Sequence, residues 1–128
     1  MNRSRMANGP LISVVDDDNS VRDSVGCLLR SVSFGVVAFA SAEEFLGSDR
    51  LSETDCVILD VRMPGMSGFE LQSRLVASHP EMPVIFITAH GDEQLRSRAL
   101  RGGAVDFLLK PFSEEALLTA VQAALSPK

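Results

Sequence analysis

A three-layer α/β fold on one doubly wound parallel sheet is what this sequence predicts, and three observations carry the prediction. Short runs rich in Val, Ile, Leu and Phe alternate with longer stretches whose apolar residues recur at helical spacing. Five such strand and helix pairs follow one another without an internal repeat or a low-complexity linker, which is the pattern of consecutive βα units. Most of the short runs are almost continuously apolar, as suits strands covered by helices on both faces.

Strands are expected at residues 11–15, 36–39, 57–60, 84–88 and 105–109. In the first helix Val21, Val25, Leu28 and Leu29 share one face, and Asp18 or Asn19 is the expected N-cap, because a short polar side chain can accept from a free backbone N–H of the first turn. Ser41 with Glu44 reads as a capping box ahead of Phe45 and Leu46, and Ser67 with Glu70 as a second. The second box opens a helix that carries Leu71 and Leu75. It should end before His79-Pro80, since proline disfavours helical geometry in the preceding residue. Residues 92–101 offer only Leu95, Ala99 and Leu100 as apolar positions before Gly102-Gly103, so this helix should be shallowly buried and easily moved. Ser113 with Glu114 and Glu115 opens the last helix, whose stripe is Leu117, Ala120, Val121, Ala124 and Leu125.

The length of 128 residues allows one compact core, expected over residues 11–125, with residues 1–10 as a mobile tail and 126–128 as the end of the domain or the start of a linker. Hydrophobic residues make up 45% of the chain, but no apolar run approaches the roughly 20 residues that span a bilayer. No apolar signal-peptide core follows Arg3 and Arg5, so a cytoplasmic location without membrane contact is expected. Cys27 and Cys56 lack metal-ligand spacing and are expected to be reduced packing residues. The net charge of −5, with Arg96, Arg98 and Arg101 only scattered, argues against direct nucleic-acid binding by this segment.

In an open α/β sheet, ligands bind beyond the carboxyl ends of the strands. Here the first strand ends in Asp16-Asp17-Asp18, the third in Asp60, the fourth in Thr88 and the fifth in Lys110. Carboxylates brought together raise one another's pKa unless a cation lies between them. Hard oxygen donors without His or Cys favour Mg²⁺, which keeps several waters and shares its shell with phosphate oxygens. An ammonium and a hydroxyl on the same edge suit a tetrahedral dianion, so the site looks built for a phosphoryl group. Each residue also has an ordinary reading. Asp at a strand end is often a helix cap, Thr88 could simply close a strand, and Lys110 could be a solvated lysine before Pro111. The specific feature is their joint placement at one edge.

The stretches Val14-Val-Asp-Asp-Asp18, Leu59-Asp-Val-Arg-Met-Pro-Gly-Met-Ser-Gly-Phe-Glu-Leu71, Ile87-Thr-Ala-His90 and Phe107-Leu-Leu-Lys-Pro-Phe112 resemble response-regulator receiver domains, a CheY-like superfamily, and most of all those of the FixJ type. The resemblance implies a flavodoxin-like sheet with strand order 2-1-3-4-5. It implies that Asp60 takes a phosphoryl group from a phosphohistidine on a sensor histidine kinase. Asp17, Asp60 and the main-chain carbonyl of Arg62 would bind Mg²⁺ directly, with Asp16 acting mostly through a bound water, while Lys110 and Thr88 each hold a phosphoryl oxygen. Thr88 and Phe107 would form the switch, and the 92–101 helix with the fifth strand would offer the changed surface. Arg62 and His90 line the rim, where Ala89 is small enough to admit phosphate. Asp18 departs from the Glu of many relatives. FixJ-type relatives usually carry a C-terminal helix-turn-helix DNA-binding domain, so an output domain beyond this segment is expected, as is a possible homodimer on phosphorylation through the first and fifth helices or the fourth-helix face. Two alternatives are an unphosphorylated docking module and a haloacid-dehalogenase-type phosphatase. The latter would use Asp16 as nucleophile and leave Asp60 unexplained.

Overall fold

The computed structural model describes residues 9–89 and 91–126. Among them β1 (Leu11–Val15), β2 (Gly35–Phe39), β3 (Cys56–Asp60), β4 (Val84–Thr88) and β5 (Asp106–Leu109) form one parallel sheet in the order β2-β1-β3-β4-β5. The helices α1 (Asn19–Ser31), α2 (Ala42–Leu46), α3 (Gly68–Ser78), α4 (Glu93–Arg101) and α5 (Glu114–Leu125) alternate with the strands. The expected fold class and strand order are both realised. A short 3-10 turn at Asp49–Glu53, which the apolar pattern did not signal, follows α2. The expected tail and chain end fall largely outside the described residues, as does His90.

The central strands β1, β3 and β4 are buried at every residue, which explains their unbroken apolar character. Side chains alternate across the sheet, so one strand feeds two cores. Ile12, Val14, Ile58, Ile85 and Ile87 pack with Val25 and Leu29 of α1 and Leu117, Ala120 and Val121 of α5. Val57, Leu59, Phe86 and Phe107 pack on the other side with Ala42 and Phe45 of α2, Phe69, Leu71 and Leu75 of α3 and Ala99 of α4. Strand order reverses between β1 and β3, because the chain moves outward to β2 in one direction and to β4 and β5 in the other. The carboxyl ends of β1 and β3 therefore flank a crevice, and the residues following them are held side by side.

Four helix starts are capped as expected, by Asp18, Ser41, Ser67 and Ser113, and α4 is capped by Asp92, whose carboxylate accepts from the Leu95 N–H at 2.8 Å. Ser67 and Glu70 form the full reciprocal box. At α2 only half of the expected box exists. Ser41 accepts from the Glu44 N–H at 3.1 Å, but the Glu44 carboxylate accepts from the Ala40 N–H at 3.2 Å, one residue earlier than the reciprocal bond requires. α3 ends at Ser78 as expected, and α4 buries Ala99 alone. One expectation is corrected. Cys56 is buried but Cys27 is exposed, because Val25 and Leu29 turn inward and a position two residues past Val25 rotates to the opposite side of the helix.

Candidate phosphoacceptor and metal site

Asp16 directly follows β1 and is fully buried; its N–H donates to the Phe39 carbonyl at 3.1 Å, extending the parallel ladder one residue beyond the strand. Its carboxylate accepts from the Asp18 N–H at 2.9 Å, a tight turn that swings Asp17 out to the exposed rim. Arg22, one turn into α1, donates to the Asp16 carbonyl at 2.7 Å and fixes the same loop from the helix side. Asp60 is the last residue of β3 and is buried. One carboxylate oxygen from each of Asp16, Asp17 and Asp60 lies within 4.8 Å of the others. The donor set is all hard oxygen, with no sulfur or imidazole, and suits a small divalent cation such as Mg²⁺ better than zinc or copper.

Lys110 reaches across from the end of β5. Its Nζ donates to Asp16 Oδ2 at 2.9 Å and stands 3.5 Å from Asp60 Oδ2. Two of the three acids are thus balanced by a side chain of the protein itself, a pairing that sequence reasoning did not foresee. Burial alone would lower the Lys110 pKa, but the hydrogen bond to Asp16 and the charges of Asp60 and Asp16 outweigh it, and the ammonium form is favoured. Burial and the neighbouring Asp16 charge raise the Asp60 pKa, opposed by Lys110 and by the backbone N–H groups of Arg62 and Val61. The Asp60 anion is thus held against its surroundings, and a cation placed beside it would relieve that cost.

The loop from β3 to α3 is closed by the Gly68 N–H, which donates to the Val61 carbonyl at 2.9 Å. A Cβ at Gly68 would stand 2.2 Å from the Asp60 carbonyl oxygen, so only glycine lets α3 begin this close to the strand end. Nothing in the local sequence marks Gly68 as more than one position inside the capping box. Its role is legible only once α3 is placed against β3.

Thr88 ends β4, is fully buried, and accepts through its carbonyl from the Lys110 N–H at 2.8 Å, so the hydroxyl residue and the lysine are tied through the backbone. Ala89 is exposed at the rim. Phe107 is 5% exposed, with its ring centroid 6.4 Å from that of Phe86. The Arg62 side chain is exposed, while its backbone takes part in holding Asp60.

The family model for the response regulator receiver domain matches residues 12–122. The chain belongs to the response-regulator receiver domain family. The domain is a signalling module rather than a classical enzyme, and the family supports a phosphoacceptor function. The chain is 51% identical to Nodulation protein W of Bradyrhizobium diazoefficiens over 89% of its own length and 50% of that protein. It is 43% identical to the transcriptional regulatory protein FixJ of the same organism, over 89% of this chain and 56% of FixJ. The solved response regulator StyR superposes with a TM-score of 0.83 at 50% identity, covering 91% of this chain and 59% of StyR. The resemblance to FixJ-type receivers thus holds across nearly the whole sequence. The chain spans about half the length of the curated relatives it matches. Receiver membership sets aside the dehalogenase-type phosphatase, which gives Asp60 no part. No helix among the described residues is long and apolar enough to cross a membrane.

Proposed function

We propose that Asp60 is the phosphoacceptor of this receiver and that a sensor histidine kinase is its donor. The observation that carries the reading is the meeting of Asp16, Asp17 and Asp60 within 4.8 Å, with the Lys110 ammonium on two of them. Mg²⁺ fits the all-oxygen set of Asp17, Asp60 and the Arg62 carbonyl, with Asp16 acting through water, and when bound it would neutralise charge on the transferring phosphoryl oxygens. A carboxylate oxygen of Asp60 forms the new O–P bond while the P–N bond to the kinase histidine breaks and its electron pair returns to the imidazole. Lys110, kept protonated by its acidic neighbours, turns from Asp16 to a phosphoryl oxygen without giving up a proton.

The aspartyl phosphate adds about −1.5 to −2 charges at one point. Thr88 supplies the hydroxyl drawn toward it, with Phe107 beneath as its partner in the switch and α4 with β5 as the surface that changes. Arg62 tunes water access to the site, and Ala89 leaves room for the phosphate. Residues 11–125 are the receiver, with residues 1–10 as a tail and 126–128 leading toward a DNA-binding output domain. The protein works in the cytoplasm and dimerises on phosphorylation.

Treatment with a small acyl phosphate and Mg²⁺ tests the assignment. A phosphoryl adduct detected by mass spectrometry in the wild-type chain and missing from Asp60→Asn is expected. An adduct that survives in Asp60→Asn would overturn the assignment, and a wild-type chain that takes up neither Mg²⁺ nor phosphate would favour a docking module.

A further inference from the structure

We propose that Glu43, in the first turn of α2, is a positioning residue for the metal site. It grips the loop that carries the Arg62 carbonyl and so helps to set metal affinity. The inference rests on the reading of Asp17, Asp60 and the Arg62 carbonyl as metal ligands. The Glu43 carboxylate accepts from the Met66 N–H at 3.0 Å, across 23 residues of sequence. The same Oε2 atom lies 2.7 Å from where a Cβ on Gly65 would stand, and Gly65 has φ of 78°, so the loop turns directly over the carboxylate. An ionised carboxylate holding a backbone N–H is among the stronger hydrogen bonds available to a surface loop.

The remainder of the loop is anchored at its two ends and once in the middle. Gly68 N–H to Val61 carbonyl fixes one end, and the Ser67–Glu70 capping box fixes the other. Met63 is buried in the same core as Ala42 and Phe45 of α2, so the loop and α2 pack together beneath the grip of Glu43. Arg62 stands between Val61 and Met63, beside Asp60. With Glu43 removed, residues 64–66 lose the polar tie to α2, and the segment after Arg62 is held to α2 by the packing of Met63 alone. Groups that orient a metal ligand change affinity by about 10- to 100-fold when they touch it directly. Glu43 acts from several residues away, so a smaller effect follows.

The ordinary role of Glu43 would be to complement the N-terminal end of the α2 dipole, a role its neighbour Glu44 shares. The two roles separate in a Mg²⁺ titration followed by backbone amide NMR shifts on the 128-residue chain, carried out on wild type, Glu43→Ala, Glu43→Gln and Glu44→Ala. Unfolding midpoints in metal-free buffer establish that each variant is folded. Glu43→Ala should weaken Mg²⁺ binding by about three- to tenfold. Glu43→Gln, whose amide oxygen can still accept from Met66, should stay within about twofold of wild type, as should Glu44→Ala. The Met66 amide should exchange with solvent faster in Glu43→Ala even without metal. Equal affinities in all four proteins would overturn the role and leave the metal reading standing. Loss in Glu43→Gln as large as in Glu43→Ala would overturn it in favour of long-range charge. A wild-type chain with no saturable Mg²⁺ response would sink the metal reading and this role together.

Discussion

The two faces of the sheet are built from different materials. The buried residues of the face covered by α1 and α5 are Ile, Val, Leu and Ala with Cys56, and α5 turns Leu117, Ala120 and Val121 into it. The face covered by α2, α3 and α4 holds five buried Phe residues, and α4 adds only Ala99 to it. What α4 lacks in apolar contact it gains from polar ties to α3. Buried Gln72 donates to the Ala99 carbonyl at 3.0 Å, and the Arg98 guanidinium lies 4.2 Å from the Phe69 ring centroid. Thr88 follows Phe86 with the same strand parity, so the site hydroxyl looks toward the face whose helix is least firmly seated. Helix α4 is thus held by a few directional contacts, while α1 and α5 are seated by stripes of buried apolar side chains.

The largest test of this contrast is truncation on each face. Leu29→Ala, at a fully buried position of α1, should cost about 2–5 kcal/mol in denaturant unfolding, whereas Leu100→Ala, at an exposed position of α4, should stay within about 0.5 kcal/mol. Comparable losses would mean that α4 is as firmly packed as α1.

Next in size is the alkaline limit of the aliphatic face. Burial, with the Asp55 charge adding to it, pushes the Cys56 thiol from its ordinary 9.0 up to about 12. Between those values the unfolded chain loses a proton that the folded chain keeps, so stability is whole below pH 9 and falls by about 1.4 kcal/mol for each unit above it until the folded thiol also ionises. Unfolding curves of wild type and Cys56→Ala should converge as pH rises through this window. Parallel curves would remove Cys56 from the account. Below it, a thiol reagent should modify exposed Cys27 and spare Cys56 until the protein unfolds.

Gln72→Ala should cost about 0.5–1.5 kcal/mol by removing one of the two donors to the Ala99 carbonyl, which keeps the Ala104 N–H at 3.0 Å, and should speed amide exchange in α4 more than in α5. Uniform acceleration in both helices would show that the bond supports the whole fold rather than latching one helix. The smallest effect concerns Asp60. Its raised pKa reports a strained anion, so Asp60→Asn should stabilise the metal-free domain above the acid range by at most about 1 kcal/mol, because solvent at the rim screens the repulsion. A drop in stability would mean that the contact with Lys110 outweighs burial and the Asp16 charge.

Much of this was written in local sequence. Continuous apolar runs placed the strands to within one residue at either end, and small polar residues marked four of the five helix starts, because both signals depend on the nearest few residues. The acidic, hydroxyl and lysine residues of the site were legible as strand-end positions. Three features were not. The half-formed box at Ser41 depends on which N–H the Glu44 side chain reaches, Cys27 faces water through its helical phase, and the pairing of Lys110 with Asp16 joins residues 94 apart.

By itself the sequence determined the alternation of strands and helices, the capped ends and the identity of the residues at the carboxyl edge, since propensity, periodicity and capping act over a turn or two of chain. Only the tertiary structure decided which acid the lysine holds, that Gly68 must lack a side chain beneath the Asp60 carbonyl, and that Glu43 grips the loop after β3. Those contacts depend on how separately formed elements come to rest against one another, and packing between distant segments leaves no periodic mark in the chain.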